Sequence, residues 1–254
     1  HDVPMDVYHG NCCPGPSVSG SVLLQMRDHD GCPAKALAKH YLSPWGREDK
    51  VTEAKAFGLA QHCYLIEGAE VFAERYAVKP EGHDGRTKEG KAWNADNADK
   101  VADNLVVSFG QFETMKAMVA GLAMNAGTAN AFTEGHPEVT AIWQDKETGI
   151  WLKARPDYLR KGLALNYKTA ASAAYEPFMR QAWELGYAVS AALCVDVLKA
   201  LGEPSHYCFI VQEKERPFLS KAWVLTDDYL VGGRMLYRRA LRKFADSIAA
   251  GKWE

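Results

Sequence analysis

The feature that most constrains this chain is a change of apolar period near residue 139. Before residue 125 the apolar residues recur at helical spacing; from Val139 onward they alternate, as in half-buried strands. Val139–Gln144 reads as one strand, Asp145-Lys146-Glu147-Thr148-Gly149 as a turn, and Ile150–Asp157 as a second strand. Lys161-Gly162 then makes a tight turn into a third strand, Leu163–Lys168. A two-residue loop fixes the register, so Asp157 and Asn166, each four residues from the turn, face one another. Side chains two apart share a face, so Lys168 projects with Asn166. A carboxylate, an amide and a lysine therefore converge on one patch of sheet, within reach of Glu138 at the start of the first strand. Burying such a group without a use costs on the order of several kcal/mol. The same register sets Arg155 against Lys168, a repulsive pair unless an anion lies between them or Pro156 kinks the strand.

The rest of the chain supplies helices for that sheet. Residues 1–50, rich in Pro, Gly and Ser, read as an arm or lid packed on the core, with short helical stretches at Ser19–Met26 and Ala34–Tyr41. Val51–Tyr76 is helical in pattern, whereas Lys79–Lys100 is too polar to pack and reads as an exposed or mobile loop. Val101–Asn125 is helical again, with Phe109, Phe112, Met115, Val119 and Leu122 on one side. Beyond the meander come a long helix, Glu176–Leu201, two strands, His206–Glu213 and Lys221–Leu225, and a final helix, Asp227–Ala250, with Asp227 and Asp228 where an N-cap belongs. This order implies a mixed α/β (or α+β) fold: a single domain over 51–254, with a central mixed sheet flanked by helices.

Composition narrows the function classes. With 30 Lys+Arg against 32 Asp+Glu the net charge is −2, which excludes a highly basic coat for nucleic acid but leaves room for a local basic groove. Arg234, Arg238, Arg239, Arg242 and Lys243 crowd the final helix and read as a solvated face or a subunit contact. Six cysteines without framework spacing suit a reducing compartment. Cys194 and Cys208 read as core residues, and His9, Cys12, Cys13, His29 and Cys32 match no usual zinc spacing. The beginning has neither the charge nor the apolar run of a targeting segment, and no stretch is apolar enough to span a bilayer. The expectation is a cytoplasmic protein with no membrane partner.

Several motifs, in order, resemble a known family. Asp157 followed across the turn by Asn166-Tyr167-Lys168 is similar to the PD-(D/E)XK nuclease signature, an acid followed by an acid-x-lysine strand. The likeness extends to the exodeoxyribonuclease VIII (RecE-like) and phage-type exonucleases. Gly58-Leu59-Ala60-Gln61-His62 looks like that group's G-x-A-x-H helix. Phe72–Tyr76, Arg86–Lys91, His136–Val139, Lys153–Asp157 and Ser247–Trp253 also fit, so the resemblance runs from Tyr8 to Trp253.

The resemblance implies a PD-(D/E)XK restriction-endonuclease-like core and Mg²⁺-dependent cleavage of DNA, with Mn²⁺ as a substitute. Asp157 would be the central ligand, with Glu138, His62, Asn166 and the Tyr167 carbonyl around the metal and Lys168 beside the attacking water. Arg86, Lys88, Lys91, Arg155 and Ser190 would touch DNA; the first three, diluted by Glu81, Asp84 and Glu89, read equally well as solvated charge. The implied substrate is linear duplex DNA with a free end, digested 5′ to 3′ for recombination. The implied partners are further copies of the chain in a ring and a single-strand annealing protein, in a bacterial or phage setting. The sequence departs from the pattern at Asn166, where an acid belongs, and at Ser190 and Cys194, where the helix usually offers Gln and Tyr. Two readings of Asn166 stay open: a substitution that traps an inactive complex, or a natural divergent member, which could be a catalytically silent DNA-binding subunit.

Overall fold

The structure, a computed structural model, describes residues 3–27, 31–46, 52–203 and 205–253. The chain begins with α1 (Met5–His9), β1 (Ser17–Ser19), α2 (Gly20–Leu23), a 3-10 turn (Leu24–Met26) and α3 (Pro33–Ala38). Next, α4 (Glu53–His62) starts at Thr52, whose hydroxyl accepts the Lys55 amide at 3.3 Å. It runs into a π turn, Cys63–Glu67, and stops at Gly68, whose φ of 101° is closed to other residues. The uninterrupted helix expected over Val51–Tyr76 is thus broken, and α5 (Ala69–Arg75) leads to β2 (Ala77–Val78).

The polar segment expected as a loop instead carries α6 (Lys88–Asp96), capped by Thr87, and α7 (Ala98–Ala102) begins just beyond. Local capping decides this: the Thr87 hydroxyl accepts the Gly90 amide at 3.0 Å, although the segment has few apolar residues to bury. After β3 (Val106–Val107), α8 (Phe109–Ala123) opens with a reciprocal capping box between Ser108 and Gln111, so the helix starts later than Val101.

The strands are β4 (Gly135–Pro137), β5 (Ala141–Gln144), β6 (Trp151–Ala154), β7 (Tyr158–Arg160) and β8 (Leu163–Ala170). Two helices follow, α9 (Tyr175–Glu184) and α10 (Tyr187–Ala200), where one was expected. They are divided at Gly186, which adopts φ 72° against Leu24 and Arg27. Then come β9 (His206–Glu213), β10 (Ser220–Val224) and α11 (Asp227–Ala250). The cap of α11 is Thr226, one residue before the expected acids; Asp227 and Asp228 lie in its first turn and favour the helix dipole.

Three sheets result: β1-β6-β5, β10-β9-β8-β7-β4 and β2-β3. The register around Lys161-Gly162 is the expected one, Tyr158 opposite Leu165 and Arg160 opposite Leu163. The second strand is not continuous, however. Its halves β6 and β7 lie in different sheets, separated at Arg155-Pro156-Asp157, because proline removes a ladder donor there. The preceding strand breaks beside it, at Glu138, whose φ is 53°. A crease therefore crosses the meander.

The main core joins Val18, Leu23 and Met26 of the N-terminal segment to Leu193 and Val197 of α10, Phe209 and Val211 of β9, and Leu241 and Phe244 of α11. Each such side chain contributes roughly 1.5–3 kcal/mol of burial, so residues 17–26 are integral to the fold. The opposite face of the five-stranded sheet, Leu165, Tyr167, Cys208 and Ile210, packs on Ile66 and Leu122. A third cluster, Ala60, Cys63, Phe72, Tyr76, Val107 and Met115, lies around α4, α5 and α8. The arginines of α11, Arg242 exposed and the others partly so, are each engaged by a partner. Arg234 pairs with Asp196, Arg238 with Asp145 and Glu147, Arg242 with Glu147, and Arg239 donates to the Arg27 carbonyl.

Candidate metal centre and the cavity beside it

The crease places two carboxylates side by side. The Glu138 amide donates to the Asp157 carbonyl at 3.0 Å, so one backbone bond ties the two positions together. Asp157 Oδ1 accepts the Asn166 amide nitrogen at 2.9 Å, and Oδ2 accepts the Tyr167 backbone N–H at 2.7 Å. His62, the last residue of α4, brings Nε2 to 3.4 Å from both Glu138 Oε1 and Asp157 Oδ2. The other Glu138 oxygen accepts Arg155 Nε at 2.7 Å, while Arg155 Nη1 donates to the Val3 carbonyl at 2.7 Å. Arg155 thus turns away from Lys168, and the Pro156 break removes the repulsion the register implied. Lys168 Nζ lies 3.9 Å from Asp157 Oδ2 and donates to the Tyr167 carbonyl at 3.1 Å.

The charges are mutually adjusted. Burial alone would lower the His62 pKa, but the charge and hydrogen bond of Asp157, with Glu138 adding, hold it above its ordinary value. Burial raises Glu138, opposed by His62 and Arg155 and reinforced by the like charge of Asp157. Burial would raise Asp157 too, yet Lys168, His62 and the Tyr167 N–H hold it below the usual carboxylate range. A cluster that keeps one partly buried carboxylate ionised beside a second is suited to a cation.

Among the described residues, His62, Glu138 and Asp157 are the one group of three or more His, Cys, Asp or Glu whose ligand atoms lie close enough for a shared ion, all within 4.8 Å. Octahedral Mg²⁺, at roughly 2.0–2.1 Å from each oxygen, puts adjacent ligand atoms roughly 3 Å and opposite ones roughly 4 Å apart, so the two 3.4 Å spacings to His62 and the 4.8 Å limit on the set fit with contraction. Two carboxylates suit Mg²⁺ or Mn²⁺, and the imidazole tips the set toward Mn²⁺. Asn166 turns its amide nitrogen to Asp157, so its oxygen is directed away from the carboxylate. The Tyr167 carbonyl, expected as a ligand, accepts the Lys168 ammonium at 3.1 Å.

The other expected site residues divide. Ser190 of α10 lines a cavity of about 240 Å³ together with Asn166, Lys168, Arg155 and Cys194. Arg86 lies on an exposed turn, ion-paired to Asp84 at 2.8 Å, and Lys88 and Lys91 are exposed on α6. No described contact joins these three to the His62 group. His9, Cys12, Cys13 and Cys32 form no metal group among the described residues, and His29 lies outside them. Cys194 and Cys208 are buried. Sequence reasoning missed Tyr8, Ser19, Ser21 and Lys153, which line the same cavity. Their signal is long-range, the parallel pairing of β1 with β6 for Ser19 and the Lys153 bond to the Tyr8 carbonyl, and no local pattern carries it.

No family model matches this chain, and no curated protein is significantly similar. Its structure is similar to the crystal structure of a protein from Eubacterium rectale described as "Putative exonuclease", with a TM-score of 0.67 and 15% identity, covering 100% of this chain and 89% of that one. What the two share at that identity is the fold, a mixed α/β arrangement of helices around the sheets. No helix among the described residues is long and apolar enough to cross a membrane.

Proposed function

We propose that this chain is a metal-dependent deoxyribonuclease that digests linear duplex DNA from an end. The observation that carries the reading is the convergence of His62, Glu138 and Asp157 within 4.8 Å of one another, His62 lying 3.4 Å from each carboxylate, with the Lys168 ammonium 3.9 Å from the central carboxylate. The "Putative exonuclease" with this fold and the PD-(D/E)XK-like motifs both favour it. A divalent cation at these ligands would neutralise phosphate charge and lower the pKa of water so that hydroxide is available to attack. The residues do the rest. Asp157, fixed by the Tyr167 N–H and the Asn166 amide, would hold the cation in place. Glu138, steadied by Arg155, and His62 complete the grip. Lys168 has protons to spare beyond its bond to the Tyr167 carbonyl, and offers them to a phosphate oxygen or to the nucleophile. Digestion 5′ to 3′, a role in recombination, assembly into a ring and hand-over to a single-strand annealing protein follow the RecE-like resemblance and are part of the proposal.

A second reading, a catalytically silent DNA-binding subunit, is favoured by one observation. At Asn166 an amide stands where the signature has an acid, and it donates to Asp157. One experiment separates the two. End-labelled linear duplex and closed circular DNA are incubated with Mg²⁺ or Mn²⁺ and the wild-type chain, Asn166→Asp or Asp157→Ala. The nuclease reading expects shortening of the linear duplex, an intact circle, faster cutting by Asn166→Asp and none by Asp157→Ala. DNA bound but uncut by both the wild type and Asn166→Asp would establish the silent subunit.

A further inference from the structure

Behind the metal group, on the other face of β8, lies a buried polar chain that the proposed chemistry does not use. Tyr167 stands between Asn166 and Lys168, so its side chain takes the opposite face of the sheet, where it packs with Ile66 of the π turn and Leu122 of α8. Its hydroxyl donates to Gln212 Oε1 at 2.7 Å, and Gln212 Nε2 donates to the carbonyls of Met118 at 2.7 Å and Phe218 at 3.1 Å. Gln61 approaches the same hydroxyl from α4. It is fully buried, yet neither its Nε2 nor its Oε1 makes a hydrogen bond. An unmet buried amide is destabilising, so Gln61 is costly where it stands. Successive helix residues point about 100° apart, which lets His62 reach the crease while Gln61 turns to the back of the sheet.

We propose that Gln61 is a positioning residue for His62, its amide donating to the Tyr167 hydroxyl when the imidazole closes on the cation. The Tyr167 proton is committed to Gln212, which leaves the phenolic oxygen as an acceptor for Gln61 Nε2. His62 has to draw inward, since its 3.4 Å spacings exceed the roughly 3 Å between adjacent ligands of an octahedral ion. Gln61 sits on the same helix end and moves with it. Tyr167 also steadies the central carboxylate, through its N–H on Asp157 Oδ2 at 2.7 Å. One residue of β8 thus receives α4 at its side chain and holds Asp157 at its backbone. The inference rests on the metal centre of the nuclease reading and adds what registers its third ligand.

The test needs no catalysis. Gln61→Met removes the amide and keeps the bulk, and circular dichroism checks its fold. Without divalent cation, its urea midpoint should equal or exceed that of the wild type, because an unmet buried amide is gone. Its Mn²⁺ affinity, read by isothermal titration, should fall about three- to tenfold, the worth of one neutral hydrogen bond. A merely structural role would lower both together. Tyr167→Phe removes the acceptor and should weaken Mn²⁺ binding to a similar degree, and the double variant should bind no more weakly than either single one. A urea midpoint that falls along with the affinity, or additive losses in the double variant, would overturn the proposal. Mn²⁺ bound equally by the wild type and Gln61→Met sinks the role of Gln61 alone. If the wild type itself takes up no Mn²⁺, the metal centre fails, and the positioning role falls with it.

Discussion

Removing the Arg155 guanidinium while keeping its bulk, as in Arg155→Met, tests how the second carboxylate of the metal group is held. Arg155 is 12% exposed and donates through Nε to Glu138 Oε2 at 2.7 Å; Glu138 is 16% exposed and lies beside Asp157. Without Arg155, His62 at 3.4 Å is the remaining cationic partner of Glu138, while burial and the Asp157 charge both push its pKa further up. Breaking a fully buried pair costs roughly 3–5 kcal/mol; with His62 left in place and some solvent reaching both groups, about 2–3 kcal/mol is expected here. Because Arg155 orients a ligand without itself binding the ion, Mn²⁺ affinity should fall roughly 10–100-fold. Isothermal titration with Mn²⁺ reads the second quantity and urea unfolding the first. Arg160→Met serves as control: Arg160 is paired to Glu134, which is 82% exposed, and such a surface pair is worth about 1 kcal/mol or less. If Arg155→Met binds Mn²⁺ as tightly as the wild type, Arg155 does not support the site and the argument from Glu138 geometry fails.

Other outcomes follow from the packing. Asp196→Ala should cost about 2–3 kcal/mol in urea unfolding, since it strands Arg234, bound through two bonds of 2.7 and 2.6 Å, and the buried Tyr237 hydroxyl. Gly186→Ala should cost about 2–4 kcal/mol, combining a left-handed backbone with collision against Leu24 and Arg27. Gly68→Ala, with φ 101° but open space, should show only the backbone part. His40 is buried with Nε2 on the Ser17 carbonyl at 2.7 Å, and burial outweighs that bond and holds its pKa below 6.5. The folded chain therefore binds this proton more weakly than the unfolded one. The stabilisation is complete above about pH 6.5 and is lost as the pH falls from there toward the folded pKa. His40→Gln should flatten the stability profile over that window, read as urea midpoints between about pH 7 and 5.

What could be read in the sequence was whatever short range determines. The Lys161-Gly162 turn dictates a register, and Asp157 does meet Asn166 and Lys168 as that register requires. The limits of β9 and α11 coincide with the runs His206–Glu213 and Asp227–Ala250, because a continuous buried apolar run marks the first and an acidic first turn the second. The breaks were less legible. Gly68 and Gly186 interrupt runs whose apolar spacing alone continues as helix, and Pro156 sends one strand into two sheets. Helix α6 hid in a segment too polar for periodicity to detect, though the Thr87 cap is written there. The cavity wall was the least accessible part. Ser19 meets Lys153 through the pairing of β1 with β6, and Tyr8 accepts the Lys153 ammonium at its carbonyl, both contacts spanning more than a hundred residues.

The three ligands do not share one foundation. Glu138 and Asp157 are stitched to each other by a main-chain bond at the crease, so their separation is inherited from the sheet and moves little if outer turns are altered. His62 stands on α4, whose Ala60 belongs to the cluster with Phe72 and Met115 and which runs straight into the π turn. The imidazole is therefore carried by a separately packed layer, while the two carboxylates share the crease of the sheet.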